Sequence, residues 1–273
     1  MSSTTTASAS STSSHHPELH LLFIRHGETQ DNIERVLQGH RDTSLTAKGL
    51  AEAGVLARKL HAEHPHGVAA IYHSPLQRIV QTVQPFLDLI SSTSSGAAAA
   101  SGQAPSIYAD ADLRGQGLGQ LEGASYDAID MSSPRSADGR PGVEDFDVFV
   151  GRLKRVFGRI VGVEAPKTAA SGKDRTVLIA THGVAITSLF KALEASPACD
   201  NFGPAVAERG PEAWEVRWTD SDDVARLVVK RPGELPLKDR EGAEGEVGKG
   251  LDWDGFQGKP FLIDMWGKKE KAL

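Results

Sequence analysis

Apolar residues fall along this chain in two rhythms. Short, largely apolar runs occur at 19-LHLLFI-24, 68-VAAIYH-73 and 176-TVLIAT-181. Each is strand length, and each stops at a polar turn, so each reads as a strand buried on both faces. Longer stretches between them repeat apolar residues every three to four positions. In 47-AKGLAEAGVLARKLHAEH-64 the set Leu50, Ala53, Val55, Leu56, Ala57 and Leu60 forms an apolar face, and Thr46 stands where a helix cap belongs. Helices are predicted likewise over 76–90, 143–163 and 184–195. A further strand is expected at 106-SIYAD-110. A hairpin is expected from 213-AWEVRW-218 and 224-VARLVVK-230, joined by 219-TDSDD-223.

Strands alternating with helices in this order imply crossover units. The predicted fold is α/β: a three-layer sandwich with a mostly parallel central sheet and helices on both faces. In such sheets ligands bind beyond the carboxyl ends of the strands. Arg25-His26, Ser74-Pro75 with Arg78, and Thr181-His182 all follow predicted strand ends, so they are expected on one edge of the sheet. The predicted body covers residues 18–230, with a flexible low-complexity insertion at 92–105. Residues 1–17 are rich in Ser, Thr and Ala, lack Arg and Lys, and carry no apolar secretory core. They are expected to form a disordered tail. Residues 231–273 form a Gly-, Lys- and Glu-rich extension. Its segments 251-LDWDGF-256 and 260-PFLIDMW-266 are expected to leave it partly docked or disordered.

Composition narrows the class further. The net charge over 273 residues is -6, with acidic and basic residues intermixed. That argues against a nucleic-acid or membrane-surface partner. No apolar run approaches the roughly 20 residues of a membrane span. Cys199 is the single cysteine, so an internal disulfide is excluded, which suits a reducing, cytoplasmic compartment. The pattern does not fix an oligomeric state.

The chemistry lies in what the predicted edge collects: Arg25, His26, Arg78 and His182, with Asn32 close behind. Two guanidinium groups offer paired donors suited to phosphate oxygens. A neutral histidine between them is a nucleophile for phosphorus, and a second, protonated histidine stabilises charge growing on the phosphoryl oxygens. No carboxylate cluster of metal-ligand spacing accompanies them, so neither a metal nor another cofactor is expected. Plainer readings exist for single residues. Either histidine alone reads as a strand-end residue bonded to backbone, Arg78 as an exposed helix arginine, and Asn32 as a turn or capping residue. Glu28 reads equally as a carboxylate favouring a helix N-terminus. His61, His64 and His66 read as solvated, His15-His16 as part of the tail, and Cys199 as inert. Convergence of two arginines on two histidines outweighs the plain readings for those four.

The same residues carry a family resemblance. RHGET at 25–29 resembles the signature of the histidine phosphatase, or phosphoglycerate mutase-like, superfamily. The runs 35-RVLQGHRDTSLTAKG-49, 74-SPLQRIVQT-82, 113-LRGQGLGQLEG-123 and ATHG at 180–183 resemble its later blocks in order and spacing. The resemblance implies that His26 becomes a phosphohistidine while Arg25, Arg78 and His182 hold the phosphoryl group. It places Asn32 on the phosphate and Gln38 and Gly39 on the rest of the substrate. One position departs from the pattern. The family's usual proton-donating glutamate falls at Gly115, and Asp112 and Glu122 are the nearest acidic candidates to replace it. The expected activity is a phosphomonoesterase acting on a small phosphorylated metabolite such as a sugar phosphate. The alternatives are a phosphoglycerate mutase-type phosphotransferase and a low-activity phospho-ligand binding or regulatory protein. Family mutases usually have tryptophan in the loop matching 38-QGHRDTSL-45, and its absence favours hydrolysis.

Overall fold

A computed structural model of the chain describes residues 17–64, 67–93, 104–126, 140–195, 214–218 and 224–229. Three expectations lie wholly or mainly outside these residues: the N-terminal tail, most of the 92–105 insertion, and the C-terminal extension. His15, His16, His66 and Cys199 lie outside them too.

The elements run β1 (Leu19–Arg25), α1 (Gln30–Ile33), α2 (Ala47–Glu63), β2 (Ala70–His73), α3 (Gln77–Thr93), β3 (Ser106–Ala109), α4 (Phe146–Ser171), β4 (Arg175–Thr181), α5 (Gly183–Ala195), β5 (Trp214–Trp218) and β6 (Val224–Val229). Single 3₁₀ turns at Ala111–Leu113 and Gly119–Leu121 punctuate the loop after β3. One sheet of six strands has the order β3-β2-β4-β1-β6-β5. The first four in that order pair in parallel, and the β5–β6 hairpin joins β1 antiparallel.

The period of two along the parallel strands sorts their side chains into two cores. Leu21 and Phe23 of β1, Tyr72 of β2 and Val177 and Ile179 of β4 face α4 and α5. Leu22, Ile24, Ile71, Leu178 and Ala180 face α2 and α3. Phe23 anchors the first layer edge-on to Phe190 at 5.1 Å, with Phe157 at 6.3 Å. Burying a ring of this kind stabilises the fold by about 1.5–3 kcal/mol. With helices on both faces, this is the three-layer α/β architecture the pattern predicts.

Two helices differ from their predicted form. On α2 the buried stripe is Ala53, Leu56, Ala57 and Leu60, whereas Leu50 and Val55 are about half exposed. Leu50 borders this stripe, and Val55 lies on the opposite face of the helix. The α4 helix runs past the predicted end at 163, through Pro166, to a left-handed Gly172. Ala165 and Thr168 are fully buried in this last stretch. Glu164, also fully buried, accepts hydrogen bonds from Tyr72, Lys167 and Arg175. Tertiary burial thus carries the helix beyond a proline that local propensity would have made its end.

Candidate active site

Parallel register brings the strand ends level. Arg25 of β1 pairs with Thr181 of β4, and Ala180 of β4 pairs with His73 of β2. The residues that follow, His26, His182 and Ser74, therefore emerge side by side. The glycine after His26 answers to a close backbone crossing. A Cβ on Gly27 would lie 2.6 Å from the Gly49 carbonyl oxygen, and one on Gly49 would collide with the Glu28 carbonyl. The turn after β1 thus runs hard against the first turn of α2. Its amide at Gly27 donates to Thr82 Oγ1 on α3 at 3.0 Å.

His26 is almost wholly buried. Its Nδ1 lies 2.9 Å from the carbonyl oxygen of Gly27. A carbonyl only accepts, so Nδ1 carries the proton and Nε2 keeps its lone pair. The ring centroid lies 5.4 Å from that of His182. His182 Nε2 is 3.0 Å from Ser74 Oγ, and Ser74 is itself fully buried. Arg78 is 1 % exposed. It donates through Nη1 to the Arg41 carbonyl at 2.8 Å and through Nη2 to the Gly39 carbonyl at 2.9 Å. One turn along α3, Thr82 donates to the Arg78 carbonyl while accepting from Gly27. The side chain of Arg25 packs over Gly183 at the start of α5, where an added Cβ would lie 3.3 Å from Arg25 Cδ.

Burial and positive neighbours set the charge states. Burial, then the charges of Arg25 and Arg78, push His26 well below the usual imidazole range, against the Gly27 bond. Burial, then Arg78, His26, Arg25 and His40, do the same to His182. Burial lowers Arg78 to about 10, opposed by Asp42, Asp31 and Glu122. It lowers Arg25 as well, opposed by Tyr126 and Glu52. At neutral pH these four groups are therefore two cations and two neutral histidines, which is the state a nucleophilic imidazole requires.

Around these four, the other candidates take distinct positions. Asn32 completes a capping box with Thr29: its Oδ1 accepts from the Thr29 amide at 3.0 Å and from the Thr29 hydroxyl at 2.9 Å. Gln38 accepts weakly from Thr43 at 3.5 Å, and Gly39 supplies one of the carbonyls that grip Arg78. The acidic candidates are both engaged elsewhere. Glu122 Oε1 accepts from the amides of His40 at 2.7 Å and Leu118 at 3.1 Å, bracing the loop. Asp112 Oδ2 pairs with Arg159 of α4 at 3.0 Å. Glu28 meets Thr46 and Lys48 at the start of α2. Position 115 does face the pocket, since a Cβ there would lie 3.5 Å from His182 Cγ, an ordinary contact.

Sequence reasoning placed Ser74 on this edge without a role, and passed over Thr82, Tyr126 and, above all, Arg152. The signal for Thr82 was available, because residues 78 and 82 share a helix face. Arg152 is buried on α4 and donates to the carbonyls of Asp112, Arg114 and Gly115. It is clasped by both oxygens of Glu144, at 2.6 and 2.8 Å. Glu144 in turn accepts from the Gly117 amide at 2.9 Å. This pair fixes the loop from 112 to 117 beside His182.

Known proteins share this arrangement of sequence and fold. A phosphoglycerate mutase-like protein of Arabidopsis thaliana is 28% identical over 181 residues, spanning 63% of this chain and 69% of its own length. A glucosyl-3-phosphoglycerate phosphatase of Mycolicibacterium vanbaalenii is 28% identical over 201 residues, spanning 71% of this chain and 81% of its own. The solved structure of a mycobacterial glucosyl-3-phosphoglycerate phosphatase superposes with a TM-score of 0.52 at 24% identity, covering 67% of this chain and 83% of that one. The sequence profile described as histidine phosphatase superfamily (branch 1) matches residues 21–203. That match takes in β1, β4 and the residues gathered at their ends, and the chain belongs to the histidine phosphatase superfamily.

Proposed function

We propose that this chain is a phosphomonoesterase that acts through a phosphohistidine at His26 on a small phosphorylated metabolite such as a sugar phosphate. One observation carries the reading: a buried imidazole, its Nδ1 proton tied to Gly27, in the field of Arg25 and Arg78. His26 Nε2 attacks phosphorus, and the ester oxygen departs in line on the opposite side. Arg25 and Arg78 balance the phosphoryl charge, and His182 takes up a proton from solvent as the anionic substrate binds and gives it back when phosphate leaves. Water then attacks the phosphohistidine, His26 leaves, and inorganic phosphate is released. The family and the phosphatase relative support hydrolysis of phosphoric monoesters. Asn32, Gln38 and Gly39 are proposed to line the substrate side of the pocket. Asn32 Oδ1 is committed to the cap, so its amide group is the part offered to phosphate.

The test is phosphate release across a panel of sugar phosphates, phosphoglycerates and nucleotides, with an acid-labile phosphoryl group trapped by rapid quench. Release accompanied by labelling of His26 supports the reading. Transfer of the phosphoryl group to a second hydroxyl, without free phosphate, identifies a mutase instead. Phosphate binding without turnover identifies a binding protein.

A further inference from the structure

The carbonyl oxygen of Gly27 decides whether His26 is a nucleophile, because it holds the proton on Nδ1 and leaves Nε2 bare. That oxygen belongs to the residue type least able to keep it still. A side chain at 27 is excluded, since a Cβ would lie 2.6 Å from the Gly49 carbonyl oxygen. Glycine is therefore obligatory there, and glycine has the widest backbone freedom. Two bonds from outside the turn remove that freedom. The peptide joining His26 to Gly27 donates its N–H to Thr82 Oγ1 at 3.0 Å. The peptide joining Gly27 to Glu28 donates its N–H to Glu52 Oε2 at 2.9 Å. A trans peptide is planar, with its N–H and C=O on opposite edges. Holding the Glu28 amide on one edge therefore aims the Gly27 carbonyl on the other at the His26 ring. Both soft torsions of Gly27 lie between the two held planes.

The two anchors come from different helices. Thr82 is buried on α3, and its hydroxyl proton goes to the Arg78 carbonyl one turn back, at 2.6 Å. With the proton spent there, a lone pair is what faces the Gly27 amide. The same hydroxyl thus ties the turn that carries the nucleophile to the turn of helix that carries Arg78. Glu52 stands on α2, part-exposed, with Lys48 at 3.9 Å from its other oxygen. We propose that Thr82 and Glu52 are positioning residues that clamp Gly27 from both sides and so hold His26 in the tautomer and orientation that attack phosphorus. The assignment rests on the phosphatase reading above. Each residue acts through the backbone of Gly27 and not on the substrate. With either bond gone, the Gly27 carbonyl turns away from the ring for part of the time. The proton is then shared between Nδ1 and Nε2, and the fraction that carries it on Nε2 has no lone pair for phosphorus.

The experiment compares wild type with Thr82→Val and Glu52→Ala, which remove the acceptors. Thr82→Ser and Glu52→Gln keep an acceptor in place. Glu52→Gln also removes the charge that faces Arg25, so it separates the bond from the charge. Nitrogen NMR of the His26 ring at neutral pH, without substrate, reports which nitrogen carries the proton. Wild type is expected to show it on Nδ1 alone, and the valine and alanine variants a mixture. In kinetics, kcat is expected to fall by up to about 10²-fold in Thr82→Val, as for a misplaced reacting group, and by less in Glu52→Ala. KM should change little, because Arg25 and Arg78 remain. The loss should be equal on an alkyl phosphate and on p-nitrophenyl phosphate, because the attack by His26 is common to both. The serine and glutamine variants should recover most of the rate. A merely structural brace would lower Tm and leave the tautomer alone. A proton on Nδ1 alone in either the valine or the alanine variant overturns the clamp, and so does a shifted tautomer with kcat unchanged. Should Thr82→Val fail to fold, Glu52→Ala decides by the same readings. The NMR measurement needs no turnover, so wild type that forms no phosphohistidine sinks the phosphatase reading while the clamp is still tested.

Discussion

Replacing Arg152 by methionine removes a single cation and takes a donor from four partners. The guanidinium is nearly buried and lies 4.9 Å above the Phe149 ring. Its loss takes the Arg152 donor from the carbonyls of Asp112 and Arg114, and leaves Gly115 with only the His40 ring and Glu144 with only the Gly117 amide. Removing one partner of a buried ion pair costs about 3–5 kcal/mol, because the other charge stays desolvated. In a domain of this size 1 kcal/mol moves Tm by about 2–4 °C, so the variant is expected to melt roughly 6–20 °C lower. The double variant Arg152→Met with Glu144→Gln removes both charges and is expected to regain part of that loss. The pH dependence has a definite sign. Burial alone would raise the Glu144 carboxyl, but hydrogen bonds from Arg152 and the Gly117 amide, then the Arg152 charge, hold it below its usual value. A depressed folded pKa stabilises above the unfolded pKa, and that stabilisation is lost as pH falls through the folded value. Wild type should therefore lose more stability than Arg152→Met on acidification from neutral pH. Melting curves followed by circular dichroism at several pH values measure both effects. A Tm within about 2 °C of wild type would refute the claim that this pair fixes the 112–117 loop.

Three further outcomes are expected. His26→Ala should abolish phosphate release and leave the circular dichroism spectrum unchanged, and turnover at the wild-type level would remove His26 from the mechanism. A chelator should leave turnover intact, since among the described residues no group of three or more His, Cys, Asp or Glu is placed to hold a metal ion. Inactivation by EDTA reversed by a divalent ion would contradict this, and orthovanadate should inhibit. Glu164→Gln should lower stability by roughly 1.5–3 kcal/mol through weakened bonds from Arg175 and Lys167. Lys167 is about half exposed and recovers solvation, so an unchanged denaturant midpoint would show that this network contributes nothing.

The sheet and the convergence of Arg25, His26, Arg78 and His182 at its edge were legible because each signal is local. A β-strand that ends on a polar pair is visible in eight residues, and parallel topology then places the ends together. The asymmetry of α2 was not legible. Leu50 falls beside the stripe of Ala53, Leu56, Ala57 and Leu60 on a helical wheel, so the period alone does not say whether it is covered, whereas Val55 falls on the far face, where its apolar character is misleading. The end of α4 was hidden because Pro166 is a local stop signal, while the burial of Glu164 and Thr168 that overrides it comes from the sheet. Arg152 was hidden for a related reason. Its three carbonyl partners lie 37 to 40 residues away and belong to the backbone, which has no sequence signature. In a helical pattern it reads as one more residue on the solvated face.

Binding of a phosphoryl group would change the charge logic of this pocket. Without ligand, Arg25 and Arg78 repel a proton from both histidines, and burial adds to the effect. This keeps Nε2 of His26 available for attack, but it also keeps His182 from acting as a cation. A phosphoryl group brings close to two negative charges into the same low-dielectric space. Its attraction for a proton opposes the repulsion from the two guanidiniums and raises the affinity of His182, which is not bonded to phosphorus. His26 is prevented from taking that proton on Nε2, because that lone pair becomes the bond to phosphorus. In the proposed mechanism one arrangement of residues thus gives a neutral nucleophile before binding and a third cation during transfer, and the substrate's own charge makes the change.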